Sequence, residues 1–253
     1  AIVDPSPAGT QPMLSPDGRY ALAYNGELYN HVDFRETLAR LGVRFRGHSD
    51  TETLLWLLIH YGEGVLPELN GIYAFAFHDA VADELLLVRD PMGVKPLYYA
   101  TGRDRRLLFA SEIKALLATG EVEPRINRED VLELLMFHYI AGDRTAFERV
   151  TELPPGHVLR RRNGRHEVRE FWELRSGAGE GEGDPRQERI GGILGKAVER
   201  QLMSDVPLGI MSGGRSASGL ITVFAGGPRG IDRGFSFRAP DRALAFDTPA
   251  FDG

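Results

Sequence analysis

The sequence contains no cysteine. Within these residues that excludes disulfides, thiolate metal sites, iron–sulfur clusters and a thiol nucleophile. It leaves the redox compartment open, because a chain without thiols is indifferent to it. Long apolar runs are also missing. None approaches the roughly 18 to 20 residues of a membrane-spanning helix, so no membrane partner is expected. The opening Ala1-Ile2-Val3-Asp4-Pro5 has no basic segment and no apolar core, so no secretory leader is read there. With no initiator methionine, the chain is expected to begin partway through a longer product, and a cytoplasmic location is expected. Basic charge is in deficit: 30 Lys and Arg stand against 36 Asp and Glu, a net charge of −6 with a pI near 5.7. No basic stripe occurs, which argues against a nucleic-acid partner. Metal-ligand spacings are absent too. His31, His48, His60, His78, His138, His157 and His166 form no i,i+4 pair and no triad, so no metal site is expected. His138 is read as a core or boundary histidine.

What is present is ordinary globular material. The 253 residues are 42% hydrophobic and 26% charged, enough for one large domain or two ordinary ones. Residues 175–185 (RSGAGEGEGDP) alternate glycine with small or acidic residues and offer no apolar anchor. They read as a flexible linker between a domain over 1–174 and a second over 186–253.

In the first domain, Tyr20 to Tyr29 is a β-rich run broken by Asn25-Gly26, which signals a two-residue hairpin. Asn30 is expected to cap a helix to about Leu41. Ser49 and Glu52 have capping-box spacing ahead of a buried helix that ends near Gly62. Ile72 to Phe77 with Glu84 to Val88, and Leu97 to Ala100 with Leu107 to Ala110, read as hairpins. Ser111 is expected to cap a short helix. Asn127 should cap another that carries Val131, Leu134, Leu135 and His138 on one face. Asn163-Gly164 joins two more strands. In the second domain, a helix over about 190–202 is weakened by Gly191, Gly192 and Gly195. A strand over Val206 to Met211 and a helix over Ser218 to Phe224 come after it.

Four segments carry candidate chemistry. Tyr24-Asn25-Gly26-Glu27 is either a plain turn or a turn that presents an amide and a backbone N–H together to a developing oxyanion. Glu27 would add an acceptor for a polar substrate. Ser49-Asp50-Thr51-Glu52 is either a helix cap or a platform that points Asp50 outward at an ammonium group. Arg89-Asp90-Pro91 to Pro96 is read as a rigid inter-strand loop holding one salt bridge. Ser212-Gly213-Gly214 between a strand and a helix could cradle a phosphate, although it is not part of a Walker pattern.

Taken in order, these segments resemble the glutaminase domain of glutamine-hydrolysing asparagine synthetases. Asp4-Pro5-Ser6-Pro7-Ala8-Gly9, Gln11-Pro12-Met13, Tyr24 to His31 and Ser49 to Glu52 begin the match. Gly71 to Phe77, Arg89-Asp90 with Gly93 and Lys95 to Tyr99, Phe109 to Leu116, Pro154 to His157 and Phe171-Trp172 continue it. Ser204 to Gly209, Ser212-Gly213-Gly214, Phe235-Ser236-Phe237 and Phe251-Asp252 resemble the start of that family's ATP-pyrophosphatase domain. The resemblance implies an α+β fold: a four-layer α/β/β/α sandwich of the N-terminal-nucleophile type, then the opening of a doubly wound α/β domain. It implies glutamine, aspartate and ATP with Mg²⁺ as ligands, and leaves a homodimer open. It assigns Asn25 and Gly26 to the oxyanion hole, and Ile2, Val3, Asn25, Gly26, Glu27 and Asp50 to glutamine. Ser212, Gly213 and Gly214 fall to ATP or pyrophosphate.

Two departures stand out. The family's cysteine nucleophile is not among these residues. The family pattern Ser-Gly-Gly-Leu-Asp-Ser-Ser has become Ser212-Gly213-Gly214-Arg215-Ser216-Ala217-Ser218, so Ser216 replaces an aspartate that would organise Mg²⁺ or phosphate. The expectation is an asparagine-synthetase-type amidotransferase whose present residues are inactive. The alternatives are a non-catalytic module of the same fold, or a ligase resembling the beta-lactam synthetases.

Overall fold

A computed structural model of the chain describes residues 2–175, 186–213, 216–226, 231 and 234–236. It divides into two compact units, Ser6–Arg175 in one and Ala1–Pro5 with Ser176–Gly253 in the other. The expected linker lies outside the described residues apart from Arg175.

The larger unit is built in chain order from β1 (Met13–Leu14), β2 (Tyr20–Leu28), α1 (His31–Arg40), α2 (Asp50–Tyr61), β3 (Gly71–Asp79), β4 (Glu84–Arg89), β5 (Tyr98–Thr101), β6 (Leu107–Ala110), α3 (Ile113–Ala118), α4 (Arg128–Phe137), β7 (Thr151–Glu152), β8 (His157–Arg162) and β9 (Arg165–Glu170). A six-stranded sheet has the order β1-β2-β3-β4-β8-β9, and a three-stranded sheet has the order β6-β5-β7. Every strand pair in both is antiparallel.

Side-chain alternation sets the layers. On β3, Tyr73, Phe75 and Phe77 face one way and pack with Leu22 and Leu28 of β2 and Leu54, Leu55, Leu57 and Leu58 of α2. Ala74 and Ala76 face the other way and join Leu87, Leu97, Leu153 and Leu159 between the sheets. On β5, Tyr99 turns towards that inter-sheet cluster. Its neighbours Tyr98 and Ala100 turn to a third cluster with Leu116 of α3, Val122 and Val150. The order is therefore helices, sheet, sheet, helix: the expected α/β/β/α sandwich. Each fully buried leucine stabilises it by roughly 1.5–3 kcal/mol. All six residues of the edge strand β9 are exposed, and four of them are arginine or glutamate, which discourages edge-to-edge pairing.

Several local expectations are corrected. β2 runs unbroken through Asn25 and Gly26, paired residue for residue with β3, so no hairpin forms there. Asn163-Gly164 does form the two-residue hairpin, with φ of 53° and 73°. Asn30 precedes α1 but makes no cap bond. Its side chain accepts from Asn70 N and donates to the Glu68 carbonyl, which ties the end of β2 to the start of β3. Only half the capping box exists. Ser49 Oγ accepts from Glu52 N at 3.2 Å, while the Glu52 carboxylate turns back to the N–H groups of Arg46 and Gly47. Ser111 caps nothing; Glu112 precedes α3 without a side-chain bond. Asn127 caps α4 as expected. His138, however, is an exposed left-handed residue at its end, and Leu134 and Leu135 are exposed as well.

Tyr73 is 1% exposed and its hydroxyl has no acceptor among the described residues. Burial and the Asp90 charge both push its ionisation well above the usual tyrosine range, so it stays a protonated donor. An unpaired buried hydroxyl is a cost, so Tyr73→Phe is expected to raise stability by about 1 kcal/mol. A higher urea midpoint with an unchanged slope would show it. A lower midpoint would mean that an internal water satisfies the hydroxyl.

The smaller unit contains α5 (Arg186–Gln201), β10 (Ile210–Ser212), α6 (Ser216–Ala225) and β11 (Gly234–Ser236). β10 and β11 pair in parallel with α6 between them in sequence, a strand–helix–strand order. α5 passes through all three of its glycines. Gly195 is explained by close packing, since a Cβ there would meet the Phe224 ring at 3.3 Å. The N-terminal segment belongs to this unit: Asp205 N donates to the Ile2 carbonyl at 3.1 Å, and Asp4 N donates to Asp205 Oδ2 at 2.7 Å. Phe237 and Phe251-Asp252 lie outside the described residues. No helix among the described residues is long and apolar enough to cross a membrane.

Candidate active site

The site is a strand edge. In an antiparallel strand, N–H groups point alternately to the two sides. Tyr29 N donates to Asn70, on the β3 side, and Tyr20 N donates to Ser15, on the β1 side. Even-numbered N–H groups of β2 therefore face the β1 side. β1 pairs only with residues 21 and 22, so it ends short of Tyr24. Beyond it, Tyr24 N donates to Gln11 Oε1 at 2.6 Å, and Leu28 N donates to Asp50 Oδ2 at 3.0 Å. Gly26 N–H lies between them, on the same edge, with no acceptor among the described residues. The adjoining Asn25 side chain is exposed.

Gly26 occupies this strand because β3 passes too close for any other residue. A Cβ at Gly26 would lie 2.1 Å from Ile72 O and 2.7 Å from Tyr73 Cα. Gly71 has the reciprocal constraint, 2.2 Å from Glu27 O.

Asp50, the first residue of α2, is 5% exposed and points inward, not outward as expected. Its Oδ2 accepts from the Tyr24 hydroxyl at 2.9 Å as well as from Leu28 N, and among the described residues its Oδ1 accepts only from Thr51 N at 2.8 Å. A carboxylate offers about four acceptor positions, so one on Oδ1 remains. Glu27 is half-buried and accepts no hydrogen bond among the described residues. Burial first, and the Asp50 charge second, raise its carboxyl above the ordinary range, with Lys95 pulling the other way. Two neighbouring carboxylates in partial burial favour a cation between them.

Lys95 is delivered by the loop after β4. Asp90 is 1% exposed and accepts from Met92 N, Val94 N, Lys95 N and Tyr73 N. Arg89 donates to the carbonyls of Lys95, Gly93 and Leu153 and pairs with Glu152 at 2.7 Å. The loop is thus held by one ion pair, as expected, and also by the Asp90 carboxylate, which among the described residues accepts only from N–H groups.

Asn25, Gly26, Glu27 and Asp50 come together in the larger unit. Ile2 and Val3 group with the smaller unit. Ser212 ends β10 and Gly213 is the next residue, while Gly214 lies outside the described residues. No group of three histidines or carboxylates among the described residues is placed to hold a metal. Gln11 and Tyr24, whose bonds build the edge, stood within recognisable strings of the sequence, but no periodicity or spacing marked them.

Residues 1–172 match the glutamine amidotransferase domain family. The chain is 35% identical over 230 residues to asparagine synthetase [glutamine-hydrolyzing] 3 of Bacillus subtilis, with 89% of this chain and 37% of that protein covered. It is 35% identical over 232 residues to the amidase chyE of Penicillium rubens, with 89% and 34% covered. The chain therefore spans about a third of the length of these relatives. Among solved structures, the glutamine phosphoribosylpyrophosphate amidotransferase of B. subtilis shares 20% identity at a TM-score of 0.48, with 93% of this chain and 52% of that one covered. A match across more than half of its residues places this chain in the glutamine amidotransferase domain family.

Proposed function

We propose that the larger unit holds glutamine along the β2 edge, as the glutaminase part of an asparagine-synthetase-type amidotransferase. One observation carries this. The Gly26 N–H and the Asn25 amide stand as donors on β2, and Glu27 of the same strand and Asp50 of α2, bonded to Leu28 N, stand as acceptors close by along it. A strand advances roughly 3.3 Å per residue, so donors and carboxylates are separated by about the length of a glutamine side chain. The donors suit the amide carbonyl, and they gain strength as charge develops on its oxygen. The carboxylates suit the α-ammonium group.

Ammonia freed there would pass to ATP-dependent amidation of aspartate. The order β10, Ser212-Gly213, α6 suits a phosphate-binding turn. The donor set does not suit Mg²⁺, because Ser216 offers a hydroxyl where the family pattern has a carboxylate.

The 253 residues bring no thiol, so the covalent route through an acyl-enzyme is closed to them as they stand. Glutamine is expected to shift NMR resonances of residues 24–28, and no ammonia above background is expected in a coupled assay. Absence of any shift at those residues would overturn the binding. Ammonia release that Asn25→Ala or Asp50→Ala abolishes would overturn the inactivity, and would mean that an activated water does the work of the thiol.

A further inference from the structure

Asp50 is held by a hydroxyl that makes no other hydrogen bond among the described residues. The Tyr24 side chain is buried on the helix-facing side of β2, and its hydroxyl donates to Asp50 Oδ2 at 2.9 Å. Burial first, and then the neighbouring Asp50 charge, keep that hydroxyl protonated far above neutral pH, so it is a permanent donor. The Leu28 N–H meets the same oxygen at 3.0 Å. With both donors on Oδ2, the carboxylate plane is set and the remaining acceptor position falls on Oδ1. Tyr24 N in turn is fixed by Gln11 Oε1 at 2.6 Å, on the edge that carries the Gly26 N–H. One residue thus ties the carboxylate end of the site to its donor end.

We propose that Tyr24 is a positioning residue that orients Asp50, and thereby sets a preference for α-amino acid amides over amides lacking the α-amino group. The inference rests on the glutamine site proposed above. Tyr24 does not touch the ligand. It acts by directing the Oδ1 lone pair, so its loss weakens recognition of the ammonium group and leaves recognition of the amide intact.

The test compares glutamine with glutaramate, which is glutamine without its α-amino group. Both are titrated by NMR into the full chain and its Tyr24→Phe variant. A directed charge-assisted hydrogen bond predicts that the wild type favours glutamine by about 30-fold, and that Tyr24→Phe cuts this preference about tenfold. Glutaramate affinity is expected to stay within about twofold. A purely structural tyrosine would weaken both ligands equally, and an unchanged ratio overturns the positioning role while the glutamine site stands. A wild type that shows no preference, or binds neither ligand, overturns the site and the role together. Should Tyr24→Phe fail to fold, the wild-type chain labelled with carbon-13 at tyrosine Cζ gives a second readout. The Tyr24 resonance should move with glutamine and stay still with glutaramate, and equal movement with both would overturn the proposal.

Discussion

Gly26→Ala is expected to destabilise the larger unit severely. The added methyl carbon would sit 2.1 Å from Ile72 O and 2.7 Å from Tyr73 Cα, both backbone atoms of a central strand. Neither can move without breaking the β2–β3 ladder, which runs from Tyr20 to Leu28. A forced backbone shift of this kind costs about 4 kcal/mol or more, a large share of the roughly 5–15 kcal/mol that holds a domain together. Gly164→Ala is the matched control. Gly164 is also preceded by an asparagine, but its neighbourhood is open and only its φ of 73° resists a side chain. That strain is worth about 1 kcal/mol. Urea unfolding of the two variants separates the explanations. Equal losses would mean that close strand approach at Gly26 is not the reason for glycine there.

Asp90→Ala should be nearly as damaging. Four backbone N–H groups, from Tyr73, Met92, Val94 and Lys95, end on its carboxylate. Its removal strands the buried Tyr73 N–H and frees three loop donors, two of them on the exposed residues Met92 and Val94, at about 1–3 kcal/mol for each that water cannot reach. The expected loss is about 4 kcal/mol in denaturant unfolding. Asp90→Asn is the informative companion. Its amide nitrogen would face N–H donors, so an isosteric change should recover little. Full recovery by asparagine would show that shape, not acceptor capacity, holds the loop. The loss should reach the candidate site too, since this loop carries Lys95 beside Glu27 and is tied to β3 opposite Gly26. Glutamine-induced shifts at residues 24–28 are expected to weaken in either variant that remains folded.

The element pattern of the larger unit was legible because it depends on neighbours in the chain. The apolar and aromatic run Ile72 to Phe77, a run of leucines behind Ser49, and Asn163-Gly164 between two polar strands each carry a local signal that the fold obeys. The layer order, and the family, came from long ordered strings and agree with the sandwich observed. The smaller unit was less legible, and its strand and helix boundaries moved by several residues.

Local signals failed wherever a distant segment decided the outcome. Asn25-Gly26 and Asn163-Gly164 are the same dipeptide, yet one is mid-strand and the other a turn, because β3 lies against Gly26 while nothing lies against Gly164. Glu52 left the capping box for the N–H groups of Arg46 and Gly47, and Asn30 left its helix for Asn70. Asp50 was expected to point outward and points inward instead, since Tyr24 and Leu28 draw it there. By itself, then, the sequence determined most of the strands and helices of the larger unit, because periodicity and turn chemistry act over a few residues. Only the tertiary structure decided which N–H groups are left open on the β2 edge and which way Asp50 faces, because hydrogen-bond partners tens of residues apart compete for the same atoms.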